Sequence, residues 1–211
     1  MRIAYLALKA LAPKARAFER STLDPMKAQE SLLLEYLSKN RSTEYGKKYH
    51  FSEVRSVADY QMLVPMSDSE SVFPYVERII NGAHNILTKD KVVFFGLTSG
   101  TTGKPTFIPV TKFSRAKKSA TLDLWAYYIS RDHPGIFDGK ILAIINPEDE
   151  AFTSNGIPYG AESGHAYKNL PAIIRGLYAI PYDVFRIKDY ESRYYCILRI
   201  AMGQNITTIA T

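Results

Sequence analysis

The sequence predicts an α/β fold: a helical N-terminal segment followed by a portion in which strands and helices alternate. Three features predict it. Up to residue 88 the apolar residues recur at helical spacing, with polar faces between them. From Val92 onward short runs of β-branched and aromatic residues appear, as buried strands require. Those runs then alternate with helical stretches to Thr211, the pattern of an α/β domain. The expected organisation is a mainly helical segment over 1–88 and an α/β portion over 89–211, one domain overall, with no internal repeat.

The elements follow in order. Met1 to Leu11 has a positive start and a short apolar stretch, the outline of a signal peptide, but Lys9 interrupts it and Lys14, Arg16 and Arg20 follow at once. A basic amphipathic helix is expected instead, packed on the protein or resting weakly on a membrane surface. Asp24-Pro25 reads as an N-cap and first helical residue, opening a helix with Leu33, Leu34 and Leu37 that ends near Asn40. Ser56 with Asp59, and Ser67 with Glu70, look like capping boxes for two short helices. The second carries Val72, Val76, Ile79 and Ile80 on one side and stops at Asn81-Gly82. Val92 to Phe95 is a buried strand, and Thr106 to Val110 a second extended segment. Thr111 caps a long helix to about Ser130, with Phe113, Leu124, Trp125 and Tyr128 as candidate buried positions. Ile141 to Ile145 is a further buried strand, Asn146 to Gly164 a loop, and Val184 to Ile187 a short strand. Asp189 to Met202 is a helix stopped by Gly203, and Asn205 to Thr211 is again strand-like. That last strand has nothing after it to cover it, which points to a domain incomplete at its C-terminus.

Composition narrows the function classes. The 211 residues, 46% hydrophobic and 23% charged, suit a globular protein with a real core. Twelve Gly and 11 Pro exclude collagen-like and low-complexity chains. Cys196 alone forms no internal disulfide and favours a reducing compartment, so a cytoplasmic location is expected. No apolar run approaches the roughly 18 residues that span a bilayer. The net charge of +6 suits an anionic ligand without requiring one.

The stretch Gly96 to Pro105 carries the chemistry. Thr98, Ser99, Thr101 and Thr102 alternate with Gly100 and Gly103, and Lys104 follows. Glycine lets successive backbone N–H groups turn inward as an anion-binding nest; hydroxyls add neutral donors, and a lysine adds a charge for terminal phosphates. A polyphosphate is the natural guest. Named motifs fit less well. The Walker loop needs Gly where Thr98 stands and Ser or Thr where Pro105 stands. The dinucleotide fingerprint also lacks its first glycine, at Thr98. Gly96-Leu-Thr-Ser-Gly100 has the spacing of a nucleophile elbow with Thr in place of Ser, but the elbow requires a helix next, which Pro105 and Phe107 to Val110 deny. A ligand-free Gly/Thr turn between two strands is the plain alternative.

Leu97-Thr-Ser-Gly-Thr-Thr-Gly-Lys-Pro105 resembles the phosphate loop of the adenylate-forming ligases: acyl-CoA synthetases, luciferases and peptide-synthetase adenylation domains. Relatives in those branches usually place Lys after the Pro, where this chain has Thr106. The surroundings are similar, in their order, to the auxin-responsive acyl-acid amido synthetases. They comprise Glu44-Tyr-Gly46, Val64-Pro65, Pro74-Tyr-Val-Glu-Arg-Ile-Ile-Asn-Gly82, Ile86-Leu87, and Gly156-Ile-Pro158 with Gly160 and Ser163. The likeness covers roughly residues 25–211 and is strongest over 60–111.

The resemblance implies that 89–211 is the nucleotide-binding portion of the mixed-sheet N-terminal domain of an adenylate-forming ligase. It implies a two-step reaction using ATP and Mg²⁺, with a small-molecule carboxylic acid and an amine as substrates and no nucleic acid. The acid attacks the α-phosphate to give acyl-adenylate and pyrophosphate; an amino acid amine then attacks the acyl carbon and releases AMP. The implied contacts to ATP are Thr98, Ser99, Gly100, Thr101, Thr102, Gly103 and Lys104, with catalytic residues unassigned and no metal ligand named. Such relatives are well over twice this length. Their adenine- and Mg²⁺-binding segment, ribose-binding Asp and catalytic Lys find no match within residues 1–211, so the isolated chain is expected not to turn over. An acyl-CoA ligase or another adenylating enzyme, and a non-catalytic remnant binding nucleotide or a partner, stand as the alternatives.

Other constellations read as structural. His50, His84, His133 and His165 are widely spread, which disfavours a zinc site. Ser163 misses the nucleophile spacing and is at most a neighbour of the acyl pocket. Glu148-Asp-Glu150 reads as a solvated acidic turn, with a metal cluster as its alternative. Arg115, Lys117 and Lys118 either raise the positive potential beside the loop or form a solvated helix face. Tyr178, Tyr194 and Tyr195 read as core or pocket lining, since no RNA-binding pattern accompanies the 15 tyrosines.

Overall fold

The computed structural model describes residues 2–98, 106–148 and 150–210, with side chains from residue 9 onward. Helices lead: α1 (Arg2–Ser21), α2 (Pro25–Asn40), α3 (Glu44–Lys48), α4 (Val57–Leu63) and α5 (Ser69–Ile80). Strands β1 (Val92–Leu97) and β2 (Phe107–Thr111) follow, then α6 (Lys112–Asp132), a 3-10 turn at Pro134–Phe137 and β3 (Lys140–Ala143). The remainder is β4 (Ala151–Phe152), β5 (Pro158–Gly160), α7 (Glu162–Lys168), α8 (Ala172–Arg175), α9 (Tyr182–Phe185), α10 (Tyr190–Met202) and β6 (Ile206–Ala210). This is the mixed α/β architecture that the sequence predicts. No helix among the described residues is long and apolar enough to cross a membrane.

Local chemistry sets most boundaries. Asp24 caps α2 by accepting the Lys27 N–H at 3.1 Å, with Pro25 at the first helical position. Asp189 caps α10 through the Ser192 N–H at 2.7 Å, and Gly203 closes it. Thr111 and Ser114 cap α6 reciprocally, each side-chain oxygen accepting the other's backbone N–H at 3.1 and 2.9 Å. At α5 the box sits one residue later than the sequence suggested: Asp68 and Ser71 form it, at 2.8 and 3.1 Å, while the Ser67 hydroxyl donates to the Pro65 carbonyl. A carboxylate is the stronger acceptor for the exposed helical N–H groups, so Asp68 takes the cap from Ser67. The segment expected as a strand over 184–187 belongs instead to the helical turn α9 and its exit. The Arg186 and Ile187 N–H groups return to the Asp183 and Val184 carbonyls, a local closure that leaves them unavailable to a sheet.

Two compact units divide the chain. A hairpin unit comprises 16–117 and 152–158. In it β1 and β2 pair antiparallel from Leu97↔Phe107 to Val92↔Thr111, with an irregularity between Val92 and Phe94. Strand β2 stands at the end of its sheet's strand order, so it is an edge strand, where the missing N–H of Pro109 is tolerated. Phe94 and Phe95 are both 0% exposed. Successive strand residues face opposite sides, so β1 is covered on both faces; Leu37, Val76, Ile79 and Ile86 are also buried in this unit. Buried Thr43 turns the chain between α2 and α3: its hydroxyl donates to the Asn40 carbonyl at 2.7 Å and accepts the Gly46 N–H at 2.9 Å.

A parallel-sheet unit comprises 1–15, 118–151 and 159–211. Here β3 and β6 pair in parallel, from Lys140↔Ile206 to Ala143↔Ala210. On its other side β3 bonds residues 177–179: the Ile141 N–H donates to the Leu177 carbonyl, and the Ala179 N–H to the Ile141 carbonyl, each at 2.8 Å. Ile141, Ala143, Ile145, Ile180, Phe185 and Ile197 pack as one buried cluster. The candidate buried positions on α6 come out differently. Trp125 is 51% exposed, and none of the helix is fully buried.

Candidate functional site

The loop singled out by sequence is the connection between β1 and β2. Leu97 and Phe107 are the last paired residues, so 98–106 is a hairpin loop. Thr98 closes its base from both directions. Its N–H donates to the Thr106 carbonyl at 3.2 Å, and its Oγ1 accepts the Thr106 N–H at 3.0 Å. The two ends of the loop are thereby clamped to a strand pair whose Phe94 and Phe95 are fully buried. Ser99, Gly100, Thr101, Thr102, Gly103 and Lys104 lie outside the described residues. A second strand follows the loop, and α6 begins only after it, which is not the strand-to-helix turn of a nucleophile elbow.

The basic residues that follow are engaged. Lys117 pairs with Glu35 at 2.8 Å and also lies over the Phe113 ring; Lys118 pairs with Glu162 at 2.5 Å. Both are exposed ion pairs, so part of the positive potential expected from them is already neutralised by neighbouring carboxylates. A small open cavity of 180 Å³ between α5 and β1 is lined by His84, Thr88, Lys89, Asp90 and Lys91 among others. It falls below the roughly 300 Å³ at which small-molecule pockets begin.

The parallel-sheet unit holds a cluster that sequence reasoning missed. Glu148 is not in a solvated acidic turn. Its side chain is 14% exposed, and its two oxygens take the Nδ1 of His165 at 2.7 Å and the Nζ of Lys168 at 2.8 Å. Its backbone N–H donates to the Tyr182 hydroxyl at 3.0 Å, and Tyr182 stacks on Tyr167 with centroids 5.5 Å apart. The Ser163 hydroxyl accepts the Asn146 N–H at 3.2 Å. Gly164 lies so close that a Cβ there would overlap the Asn146 carbonyl oxygen. The residues after β3 are therefore fixed to α7 and α9. The signal in the sequence was the i, i+3 spacing of His165 and Lys168, which puts both on one face of α7.

Of the other residues noted, Asp149 lies outside the described residues and Glu150 is exposed. No three His, Cys, Asp or Glu side chains gather as a metal site among the described residues. Tyr178 is core, as expected, and burial pushes its phenol pKa up. Tyr194 and Tyr195 are not core: they are 42% and 65% exposed on α10, because Ile197 and Ala201 already fill the face turned to β3.

With this geometry in place, comparisons identify the family. A family model described as the GH3 family N-terminal domain matches residues 14–211. Indole-3-acetic acid-amido synthetase GH3.10 of Arabidopsis thaliana is 28% identical over 199 residues, covering 88% of this chain and 34% of that protein. Jasmonoyl-L-amino acid synthetase JAR4 of Nicotiana attenuata is 27% identical over 191 residues, covering 86% and 32%. Among solved structures, the GH3.15 acyl acid amido synthetase is similar with a TM-score of 0.76 at 24% identity, over 89% of this chain and 33% of that one, a likeness of fold. The chain spans about a third of the length of the curated relatives it matches. Because the family model takes in nearly all of the sequence, the chain belongs to the GH3 family, over that family's N-terminal domain.

Proposed function

We propose that this chain is the phosphate-gripping third of an ATP-dependent acyl-acid amido synthetase, acting in the cytoplasm. The reaction activates a carboxylic acid as its acyl-adenylate, releasing pyrophosphate, and then forms an amide with an amino acid, releasing AMP. The observation that carries this reading is the Thr98–Thr106 closure at the end of a doubly covered strand pair. Thr98 and Thr106 fix where the Gly/Thr/Ser segment between them leaves and rejoins the strands, and its residue types supply the backbone N–H groups and hydroxyls that an anion takes as donors. The contacts proposed are Thr98, Ser99, Gly100, Thr101, Thr102 and Gly103, with Lys104 supplying the charge for the terminal phosphates. Mg²⁺ belongs to the same reading, neutralising phosphate charge when bound with the nucleotide. Residues 1–211 by themselves bind ATP without turnover, since the relatives named as synthetases are about three times as long.

Calorimetric titration of ATP into the chain tests this. Lys104→Ala is expected to weaken binding about tenfold, the loss of one charge-assisted contact to phosphate. Unchanged affinity rejects the phosphate role of Lys104, and exchange of labelled pyrophosphate into ATP by this chain alone overturns the division of labour.

A further inference from the structure

Residues 83–91, which connect α5 to β1, wall most of the 180 Å³ cavity in the hairpin unit. Their carbonyls are spoken for. Those of Asn85 and Ile86 accept the N–H groups of Glu44 and Tyr45 at 2.9 and 3.1 Å, and the Asn85 side-chain amide donates to the Ser42 carbonyl at 2.9 Å. The Asn85 carbonyl and the Ile86 N–H belong to one planar peptide and point opposite ways, so this bonding turns the Ile86 N–H away from α3. Ile86 lines the cavity and is 4% exposed, yet its N–H has no acceptor among the described residues. A buried amide donor is almost always satisfied, by protein, water or ligand. Asn85 has φ +58°, the left-handed region. In such a turn successive N–H groups converge as an anion-binding nest, and those of His84 and Asn85 also lack acceptors among the described residues. Charge points the same way. His84, Lys89 and Lys91 line the cavity, are exposed, and form no ion pair among the described residues. Asp90, the carboxylate in the lining, is already answered by Lys39 at 3.1 Å. The result is an electropositive recess too small for a nucleotide.

We propose that this recess binds a free tetrahedral oxyanion of the size of inorganic phosphate, held by the Ile86 N–H, Lys89 and Lys91, with His84 as a further donor. An anion there ties the end of α5 to the approach of β1. None of these residues belongs to the β1–β2 loop, and the inference does not rest on that loop's binding ATP. The test follows the Ile86 amide resonance while inorganic phosphate is titrated into the chain at constant ionic strength. In the native chain the resonance is expected to move and saturate. Lys89→Gln combined with Lys91→Gln is expected to weaken the affinity read at Ile86 by at least about tenfold, the loss of charge-assisted contacts. Both lysines are exposed, so without phosphate this variant should unfold within about 2 °C of the native chain. Lys104→Ala, which alters only the β1–β2 loop, should bind phosphate at Ile86 within about twofold of the native chain. Glycerol 3-phosphate, with one oxygen esterified, is expected to bind more weakly than the free ion. An Ile86 resonance that does not saturate, or that chloride moves equally, overturns the proposal. So does equal affinity in the paired lysine variant. Binding lost with Lys104→Ala overturns it by placing the anion in the β1–β2 loop, and tighter binding of glycerol 3-phosphate overturns the free ion as the guest.

Discussion

The carboxylate of Glu148 is held 2.7 Å from Nδ1 of His165 inside the parallel-sheet unit, and Lys168 takes its other oxygen at 2.8 Å. A carboxylate only 14% exposed has given up most of its water, and these two partners compensate that loss, while the backbone N–H of the same residue is held by Tyr182. Removing it takes the carboxylate partner from a buried imidazole and loosens the tie between the segment after β3 and α7. Glu148→Ala is expected to cost about 3 kcal/mol in urea unfolding, the scale of breaking one side of a buried pair. A loss under about 1 kcal/mol would assign the cluster to the solvated surface.

Gly164 and Gly156 separate two reasons for a glycine. At Gly164 an added Cβ would overlap the Asn146 carbonyl oxygen and crowd the Glu148 N–H, both backbone groups that cannot step aside alone. At Gly156 nothing lies within 4 Å of the Cβ position, but φ is +79°. Gly164→Ala is therefore expected to cost roughly 2–3 kcal/mol by forcing backbone apart. Gly156→Ala should cost about 1 kcal/mol, from an unfavourable dihedral alone. Equilibrium unfolding of the two variants gives the order directly, and the reverse order contradicts the close approach of α7 to residues 146–148.

Several carboxylates bias stability toward neutral pH. Hydrogen bonding from Arg78, at 2.6 and 2.8 Å, holds Glu44 below its ordinary 4.5. Backbone N–H donors at helix N-termini hold Asp68 and Asp189 below 3.8, from Ser71 and Ser192 respectively. With folded values depressed, the unfolded chain takes up protons first as pH falls. Their contribution is complete above the ordinary values and is lost as pH drops through the folded ones. The urea midpoint is expected to fall steadily from pH 5 toward pH 3, with Asp68→Asn flattening part of that decline because the amide still caps α5 without titrating. A midpoint that rises on acidification would reverse the sign.

How much of this was legible in sequence depends on the range of the cause. Asp24 and Asp189 start their helices, and Asn81-Gly82 and Gly203 end theirs, because a cap acts over three or four residues and is written locally. The strand character of 92–95 was equally plain from its β-branched and aromatic run, and the strand continues to Leu97, with Phe94 and Phe95 both fully buried. The placement of Trp125 at the surface was not readable: α6 has apolar residues around its circumference, and only its tertiary neighbours decide which are covered. The Glu148 cluster was missed for the same reason, because it joins residues 148, 165 and 182, which no local pattern relates. The loop itself stood out through its ordered Gly, Thr and Lys string. That Thr98 ties it to Thr106 follows only from the antiparallel register of β1 on β2.

Thr98 is therefore the described residue through which the proposed phosphate grip is most directly tested. Its Oγ1 accepts the Thr106 N–H at 3.0 Å, so the hydroxyl sets the width of the loop mouth as well as offering a donor to a ligand. Thr98→Val keeps the branched shape that suits the strand end while removing the acceptor. One lost hydrogen bond of about 1 kcal/mol at the loop base predicts an ATP affinity lower by about fivefold. Thr98→Ser restores the oxygen and should bind within about twofold of the native chain. Because Thr98 is exposed and Phe94 and Phe95 carry the burial, neither variant should move the unfolding midpoint much. If valine and serine bind ATP alike, the closure at Thr98 plays no part in nucleotide binding, and the loop is a structural turn between two strands.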